Sequence, residues 1–227
     1  MTSITTLLVE RTDHLHDRFD AQYETVLFFD LTYDIYRAFV RKLYGFYKPA
    51  EELLASIQAK RAPACLPFER KRVPALLKDL HALGETDETI ANIPQCQLPA
   101  LHSVPLVLGY LYIIEGSIFG NEPVLQQLRR SLQIDEENGA AFFSIVEPQQ
   151  VRPRWQAFLS MLTAYADSHP EDVETIITGA LETIHAYEHW LFEGKVTRIK
   201  RIDPALHGHS HSHGHGHAHE HDHVHHE

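Results

Sequence analysis

A histidine with a carboxylate one helical turn away is the first group in this sequence that suggests chemistry. Leu8, Thr12, His16 and Asp20 follow one another at four-residue intervals, so a helix places them on one stripe. A neutral imidazole binds metal, and Asp20 would accept a hydrogen bond, directly or through water, from the ring nitrogen that faces away from the metal. A lone histidine on an apolar helical face is more often a core residue, so both interpretations of His16 stay open at this point. His14 points to another side of the helix and is the poorer candidate.

Small residues interrupt a strongly apolar helical segment in the middle of the chain, in the run Gly116-Ser117-Ile118-Phe119-Gly120. Such residues favour either a close crossing of two helices or a bent helix whose backbone closely approaches a flat ligand. The local sequence is compatible with both. A histidine on one helix and a glycine-bent helix opposite it would together enclose heme (haem).

The C-terminal segment holds 11 of the 18 histidines, mostly at every second position. With so little apolar content to bury, residues 203–227 are predicted to be disordered without a ligand. The interleaved imidazoles offer many overlapping pairs of nitrogen ligands for nickel, copper, zinc or iron, with low geometric selectivity. Their alternation with other residues favours a native tail over a cloning tag, which is usually an uninterrupted run. The predicted ligands are His207, His209, His211, His213, His215, His217, His219, His221, His223, His225 and His226.

A second group of metal-binding residue types lies near residue 185. His185 and His189 are one helical turn apart, with Glu182 and Glu188 close by. A carboxylate-bridged di-iron site needs further inward carboxylates on other helices, and no matching Glu-x-x-His pair occurs elsewhere in the helical part of the chain. An exposed amphipathic face is therefore the favoured interpretation.

Helices are predicted to position all of these residues. Apolar residues recur at helical spacing, and no alternating strand pair joined by a hairpin turn is evident, which predicts an all-α fold. Pro49 is predicted to begin a helix, and Gly84 to end one in the left-handed conformation. The predicted organisation is a helical domain over 1–202 and a tail over 203–227. The predicted helices span about 3–22, 25–44, 49–60, 68–83, 101–132 with a bend in its middle, 148–168 and 170–192.

Charge and hydropathy exclude several classes of protein. The 20 Lys and Arg residues against 31 Asp and Glu give a net charge of −11, which disfavours nucleic-acid binding. No apolar run has the length of a membrane span, and the N-terminus has no features of a signal peptide, so we expect a cytoplasmic protein. Cys65 and Cys96 share no CxxC-type spacing and are predicted to be free thiols, with a disulfide as the alternative.

Three stretches resemble the heme oxygenase family, particularly its bacterial biliverdin-producing branch found with bacteriophytochromes. LLVERTDHLHDRF resembles the proximal motif, with Thr12 four residues before His16. FYKPAEELL and RKRVPALLKDLHALG are similar to the second and fourth helices of the family and their joins. LGYLYIIEGSIFGNEPVLQQL resembles the distal motif LYxxEGSxxGG, with Glu115, Gly116, Ser117 and Gly120 in register. With the aromatic residues between 142 and 158, the likeness spans about residues 4–193.

The resemblance implies a single-domain helical bundle that binds heme between the first helix and the bent distal helix. Dioxygen and electrons from an external donor, a ferredoxin or a reductase, then convert heme to biliverdin, carbon monoxide and iron, and a phytochrome would be a recipient of the biliverdin. His16 is the implied axial ligand, with Ser117 available to a distal water. The residues implied to surround the heme are Thr12, His16, Asp20, Gly116, Ser117, Gly120 and Asn121, of which Gly116, Ser117 and Gly120 form the catalytic distal face.

Four positions depart from the family pattern. Val9 stands where a basic residue is expected to meet a heme propionate, and Ser117 replaces an Asp found in many members. Asn121 replaces the second of two paired glycines, and Pro123 follows it. These departures keep open an alternative function, in which the same fold binds heme or a bilin, or stores metal, without catalysis.

Overall fold

Helices joined by short loops make up the chain wherever it is described, in a computed structural model that covers residues 2–60 and 72–192. No strand occurs within those two ranges, and the predicted all-α fold is confirmed. The α-helices are α1 (Ile4–Glu24), α2 (Tyr33–Lys60), α3 (Arg72–Ala82), α4 (Asp87–Ala91), α5 (Val104–Gly116), α6 (Asn121–Leu132), α7 (Pro148–Ser168) and α8 (Val173–Phe192).

Helix α1 begins and ends close to its predicted bounds. The Ser3 hydroxyl oxygen accepts the Thr6 backbone N–H at 3.2 Å, which satisfies one of the free donors at the helix start. Ile4, Leu8 and Leu15 are buried along one side of the helix. A π-helical turn, Thr25–Phe29, then ends the α1 segment.

Helix α2 differs from the prediction at both ends, because it begins at Tyr33 instead of Thr25 and continues through Pro49 to Lys60. Thr32 supplies the start signal, since its side-chain oxygen accepts the Ile35 N–H at 3.2 Å. Pro49 has no N–H to donate to the carbonyl of Gly45, one turn earlier. Cys96 donates its backbone N–H to that carbonyl at 2.9 Å instead, so a loop residue replaces the missing helical hydrogen bond. The prediction that Pro49 begins a separate helix is wrong.

The connection after α3 begins with the glycine that the sequence analysis expected at the helix end. Gly84 has a φ of +88°, so the predicted left-handed helix end is confirmed. The next loop, with its prolines, contains one short helix, α4.

Helices α5 and α6 form the predicted long helix with a break. A 3₁₀ turn, Ser117–Gly120, separates them, and Pro123 is only the third residue of α6. The N–H of a third helical residue has no acceptor within its own helix, so Pro123 is tolerated there and the bend lies before it.

Helix α5 is the centre of the core, buried over almost its entire surface. It crosses α8 at very short range: a Cβ added to Gly109 would lie 2.1 Å from the Ile176 carbonyl oxygen, and one added to Gly179 would lie 2.5 Å from that of Leu106. Only glycine permits this approach. Within the described residues, the segment Val104–Leu132 is long and apolar enough to cross a membrane, but 67% of its most apolar window is buried in the protein, as in a core helix.

The last two predicted helices are present as α7 and α8. Pro148 is the first residue of α7, and a 3₁₀ turn, Pro170–Asp172, precedes α8. Cys96 is buried and has no disulfide partner among the described residues, and burial raises the pKa of its thiol to about 11. Cys65, the predicted gap between the helices 49–60 and 68–83, and the histidine-rich tail lie outside the described residues.

Candidate functional site

A cavity of about 480 Å³ lies between α1, the α5–α6 break, α7 and α8. Its volume is within the roughly 300–1,000 Å³ of ordinary small-molecule sites. Six residues that the sequence singled out line this one cavity: His16, Asp20, Gly116, Ser117, Gly120 and Asn121. Residues a hundred positions apart in sequence therefore meet at a single site.

The α1 side of the cavity presents the His16 imidazole. Burial raises the pKa of the Asp20 carboxyl group, and the electrostatic effect of the nearby His16 side chain opposes that shift. Thr12 is fully buried beside the cavity rather than lining it, and its hydroxyl donates to the Leu8 carbonyl at 2.8 Å. His14 is exposed and does not reach the cavity.

The α5–α6 side presents glycine backbone. A Cβ added to Gly120 would meet no atom within 4 Å, so the space beside it is open. One added to Gly116 would make only an ordinary contact, 3.6 Å from the Trp155 ring. The Ser117 hydroxyl donates to the Ile114 carbonyl at 2.8 Å, which leaves its oxygen lone pairs as acceptors.

Asn121 contributes the remaining polar group of that side. The residue is only 8% exposed, and its carboxamide makes no hydrogen bond with any other described residue. Because buried amides normally have partners, a group of this kind on a cavity wall is suited to a ligand or an ordered water.

Aromatic rings, none of which the sequence analysis assigned to the site, form much of the remaining wall. Phe19 stacks on Tyr187 with ring centroids 5.4 Å apart, and Trp155 lies 5.5 Å from Tyr112. The other aromatic lining residues are Tyr23, Phe119 and Phe142. Helical spacing from His16 would have found Phe19 and Tyr23, whereas the rest come from distant elements and have no local signal.

Two arginines that the sequence analysis missed hold Glu115, the residue before the break. Arg154 donates through Nε to Glu115 Oε2 at 2.6 Å and through Nη2 to Oε1 at 3.1 Å. Arg72 donates to the same Oε1 at 3.2 Å. Burial raises the pKa of Glu115, but the hydrogen bonds and charges of the two arginines outweigh it and lower the pKa below its usual value.

A second buried carboxylate supports the aromatic wall from α3. Asp79 accepts the backbone N–H groups of Ala141 at 2.6 Å and Phe142 at 2.8 Å. These residues begin a 3₁₀ turn, Ala141–Ser144, that carries the Phe142 ring to the cavity. Burial raises the pKa of Asp79 to about 6, although the two N–H donors oppose the shift.

The histidine pair on α8 lies away from the cavity. His185 and His189 are exposed, and Glu188 instead binds Arg18 and Gln22 on α1, with Arg18 Nε at 2.6 Å from Oε1. In the ranges 2–60 and 72–192, no group of three or more His, Cys, Asp or Glu side chains is placed to hold a metal ion.

Comparison with known proteins identifies the family. A family model described as "Heme oxygenase" matches residues 2–193. The chain belongs to the heme oxygenase family. The fold of this heme oxygenase family member is similar to that of a solved protein described as "Structure of Heme Oxygenase from Leptospira interrogans". The TM-score is 0.67 and the sequence identity is 18%, and the match covers 84% of this chain and 98% of that chain. No curated protein sequence matches.

The cavity of this heme oxygenase family member fits a heme. The open space beside Gly120 accommodates a flat ring against the helix backbone, and rings such as Phe19 and Trp155 supply an apolar surface for it. His16 is the histidine on the cavity wall and is suited to axial ligation of iron.

Proposed function

We propose that this protein is a biliverdin-producing heme oxygenase that uses dioxygen and electrons from an external donor, a ferredoxin or a reductase. The observation that carries the proposal is one cavity lined by both the His16 imidazole from α1 and the glycine backbone of the α5–α6 break. Family membership supports the same chemistry.

On the proximal side, His16 binds the heme iron through one ring nitrogen. Asp20 accepts a hydrogen bond, directly or through water, from the other nitrogen, which fixes the tautomer and keeps the imidazole a good ligand. The buried Thr12 anchors this part of α1 through its hydrogen bond to the Leu8 carbonyl. The heme itself supplies the iron at which dioxygen is activated.

On the distal side, Gly116 and Gly120 let the helix backbone approach the porphyrin without side chains between them. Because the Ser117 hydroxyl proton is donated to Ile114, the Ser117 oxygen accepts a hydrogen bond from a water in the cavity. The Asn121 carboxamide offers that water a further donor and acceptor. The aromatic wall limits entry of bulk water.

The histidine-rich tail has a separate role, in which His207 to His226 bind transition-metal ions. The support for it is the sequence alone: alternating imidazoles suit nickel, copper, zinc and iron. Iron is also a product of heme cleavage, so a metal buffer in the same cytoplasmic chain is chemically coherent. A phytochrome is a suitable recipient of the biliverdin.

Turnover in vitro tests the proposal. Purified protein is loaded with heme and given dioxygen and reduced ferredoxin or a chemical reductant, with catalase present to remove free hydrogen peroxide. We expect the heme absorption bands to give way to those of biliverdin, with carbon monoxide released, faster than for heme without protein. A heme complex that stays unchanged under these conditions would instead establish the non-catalytic heme-binding alternative.

A further inference from the structure

We infer that Glu115 is a positioning residue for the reaction, because its buried carboxylate fixes both the helix break that contains Ser117 and the position of Trp155 on α7. This inference rests on the proposed function and adds to it a residue on the side of the break away from the reacting atoms.

Glu115 is a buried carboxylate that is held by two arginines. The residue is 4% exposed and accepts three charged hydrogen bonds, two from Arg154 and one from Arg72. The Arg72 side chain is itself almost completely buried. Removing the carboxylate would take a hydrogen-bonded anion away from the buried Arg72 guanidinium, and the surrounding structure would have to adjust to that loss.

Arg72 connects this carboxylate to the break itself. Its Nη2 donates both to Glu115 Oε1 and to the Ile114 carbonyl oxygen, each at 3.2 Å. The same carbonyl accepts the Ser117 hydroxyl at 2.8 Å. Carbonyls at a helix end lack donors from their own helix, so these two donors hold the end of α5 in place. The orientation of Ser117 therefore depends on where Glu115 holds Arg72.

Arg154 connects the carboxylate to the cavity wall on α7. The next residue, Trp155, contacts the position that a Cβ on Gly116 would occupy, at 3.6 Å. Its ring also lies 5.6 Å from Phe158 and 6.1 Å from Phe119. The two-point Arg154–Glu115 pair thus sets the distance between the break and the ring beside it.

The chain provides a matched control in Glu85. Glu85 is 8% exposed, and its carboxylate lies between two arginines, Arg41 at 2.5 Å and Arg37 at 3.7 Å. None of the three residues lines the cavity. Glu85→Gln therefore removes a comparable ion-paired charge at a place remote from the break.

The experiment compares Glu115→Gln with Glu85→Gln in the full chain, measuring melting temperature, heme dissociation constant, kcat and KM. For Glu115→Gln we expect kcat to fall on the order of 10- to 100-fold, because small displacements at a reacting centre have effects of that size. Heme affinity should stay within about threefold, since His16 and most of the apolar wall are unchanged. Glu85→Gln should lose melting temperature but keep kcat.

A second readout uses the heme-free protein. In a Trp190→Phe background only Trp155 emits, because the chain has two tryptophans. Glu115→Gln should shift that emission to longer wavelength, and Glu85→Gln should not. If Glu115→Gln does not fold, Arg154→Lys, which keeps the charge but removes the two-point pair, is expected to give the same loss of kcat.

Equal kcat for Glu115→Gln and Glu85→Gln, in a preparation whose wild type is active, would overturn the inference and leave the proposed function intact. Retention of kcat by a folded Arg154→Lys would also overturn it. A wild type that binds heme but forms no biliverdin would instead overturn the proposed function, and this inference with it.

Discussion

Gly116 ends α5 and Gly120 ends the 3₁₀ turn, and the packing of the fold does not require glycine at either position. The space next to Gly120 is empty in the protein, and Gly116 has room for a methyl group against Trp155. Glycine is not required at either position by neighbouring atoms. Under the proposed function, the bound heme is what requires small residues at these two positions.

Replacement of Gly120 by leucine should consequently affect binding more than stability. We expect Gly120→Leu to fold, since its side chain points into open space, but to weaken heme binding by filling that space. Ser117→Ala should have a smaller effect, because water can replace a missing hydroxyl. Heme titration and product yield compare the two variants. Near-wild-type behaviour of both would place the distal face elsewhere.

The sequence predicts the residues of the cavity better than the residues that hold them. His16 and Asp20 are four residues apart, and the small residues of the break are contiguous, so local spacing is enough to find them. The partners of Glu115 are 39 and 43 residues away in the chain. No periodicity connects residues at such distances, and only the packing of α3 and α7 against α5 brings them together.

At the scale of elements, the crossing of α5 and α8 determines how the break is presented. Gly109 and Gly179 allow the two backbones to touch. Gly109 is therefore required by the fold, whereas Gly116 and Gly120, at the end of α5 and in the turn after it, have room for a side chain.

Alanine substitutions should separate these two kinds of glycine. We expect Gly109→Ala to lower the free energy of unfolding by about 1–3 kcal/mol or more, because its Cβ would overlap the Ile176 carbonyl and the Ala180 nitrogen. Gly120→Ala, which meets nothing, should change it by less than about 1 kcal/mol. Denaturant unfolding of the two variants measures the difference. Equal stability would show that the α5–α8 crossing is looser than described.

Helix α2 shows why element boundaries were harder to predict than element types. Its helical character follows from apolar spacing, but its continuation through Pro49 depends on Cys96 binding the Gly45 carbonyl from a loop that is distant in sequence. From its neighbours in sequence alone, Pro49 is expected to begin a helix, because proline is common at the first helical position. The tertiary hydrogen bond reverses that interpretation.

The buried Asp79 carboxyl group, which joins α3 to the 3₁₀ turn that contains Phe142, should make the free energy of unfolding depend on pH. The folded-state pKa of Asp79, about 6, lies above the value of about 3.9 for an unfolded chain. Protonated Asp79 thus favours the folded state, a contribution fully present below pH ~4 and lost as the pH rises through about 6. Its size is about 3 kcal/mol.

Asp79→Asn tests this dependence, since its side chain does not titrate. The difference in unfolding free energy between wild type and Asp79→Asn should change by about 2 kcal/mol between pH 4 and pH 7, because the last part of the effect appears only below pH ~4, and wild type should be relatively more stable at the acidic end. Asp167→Asn, at an exposed site on α7, is the control and should show no such change. Parallel profiles for wild type and Asp79→Asn would contradict the role of Asp79.

For the whole molecule, the helical domain and the tail are expected to act independently. Deleting residues from His207 onward should leave heme binding and turnover nearly unchanged while removing most binding of nickel, copper or zinc near neutral pH. Imidazoles bind metal when neutral, so loading should fall below a pH of about 6.5. Calorimetric metal titration of both proteins at pH 7.5 and pH 5.5 measures this. Equal metal stoichiometries would contradict the metal-buffer role, and lost turnover would make the tail part of the active site.

The most direct test of the heme site is the heme absorption spectrum and turnover rate of His16→Ala, with His14→Ala as the matched control on the same helix. We expect His16→Ala to lose the spectrum of axially ligated heme and most biliverdin formation, while the apolar cavity still retains porphyrin. Added imidazole should restore the ligated spectrum, because it can occupy the place of the missing side chain. His14→Ala, exposed and outside the cavity, should match the wild type. A wild-type spectrum and rate in His16→Ala would contradict the assignment of this cavity as the heme site.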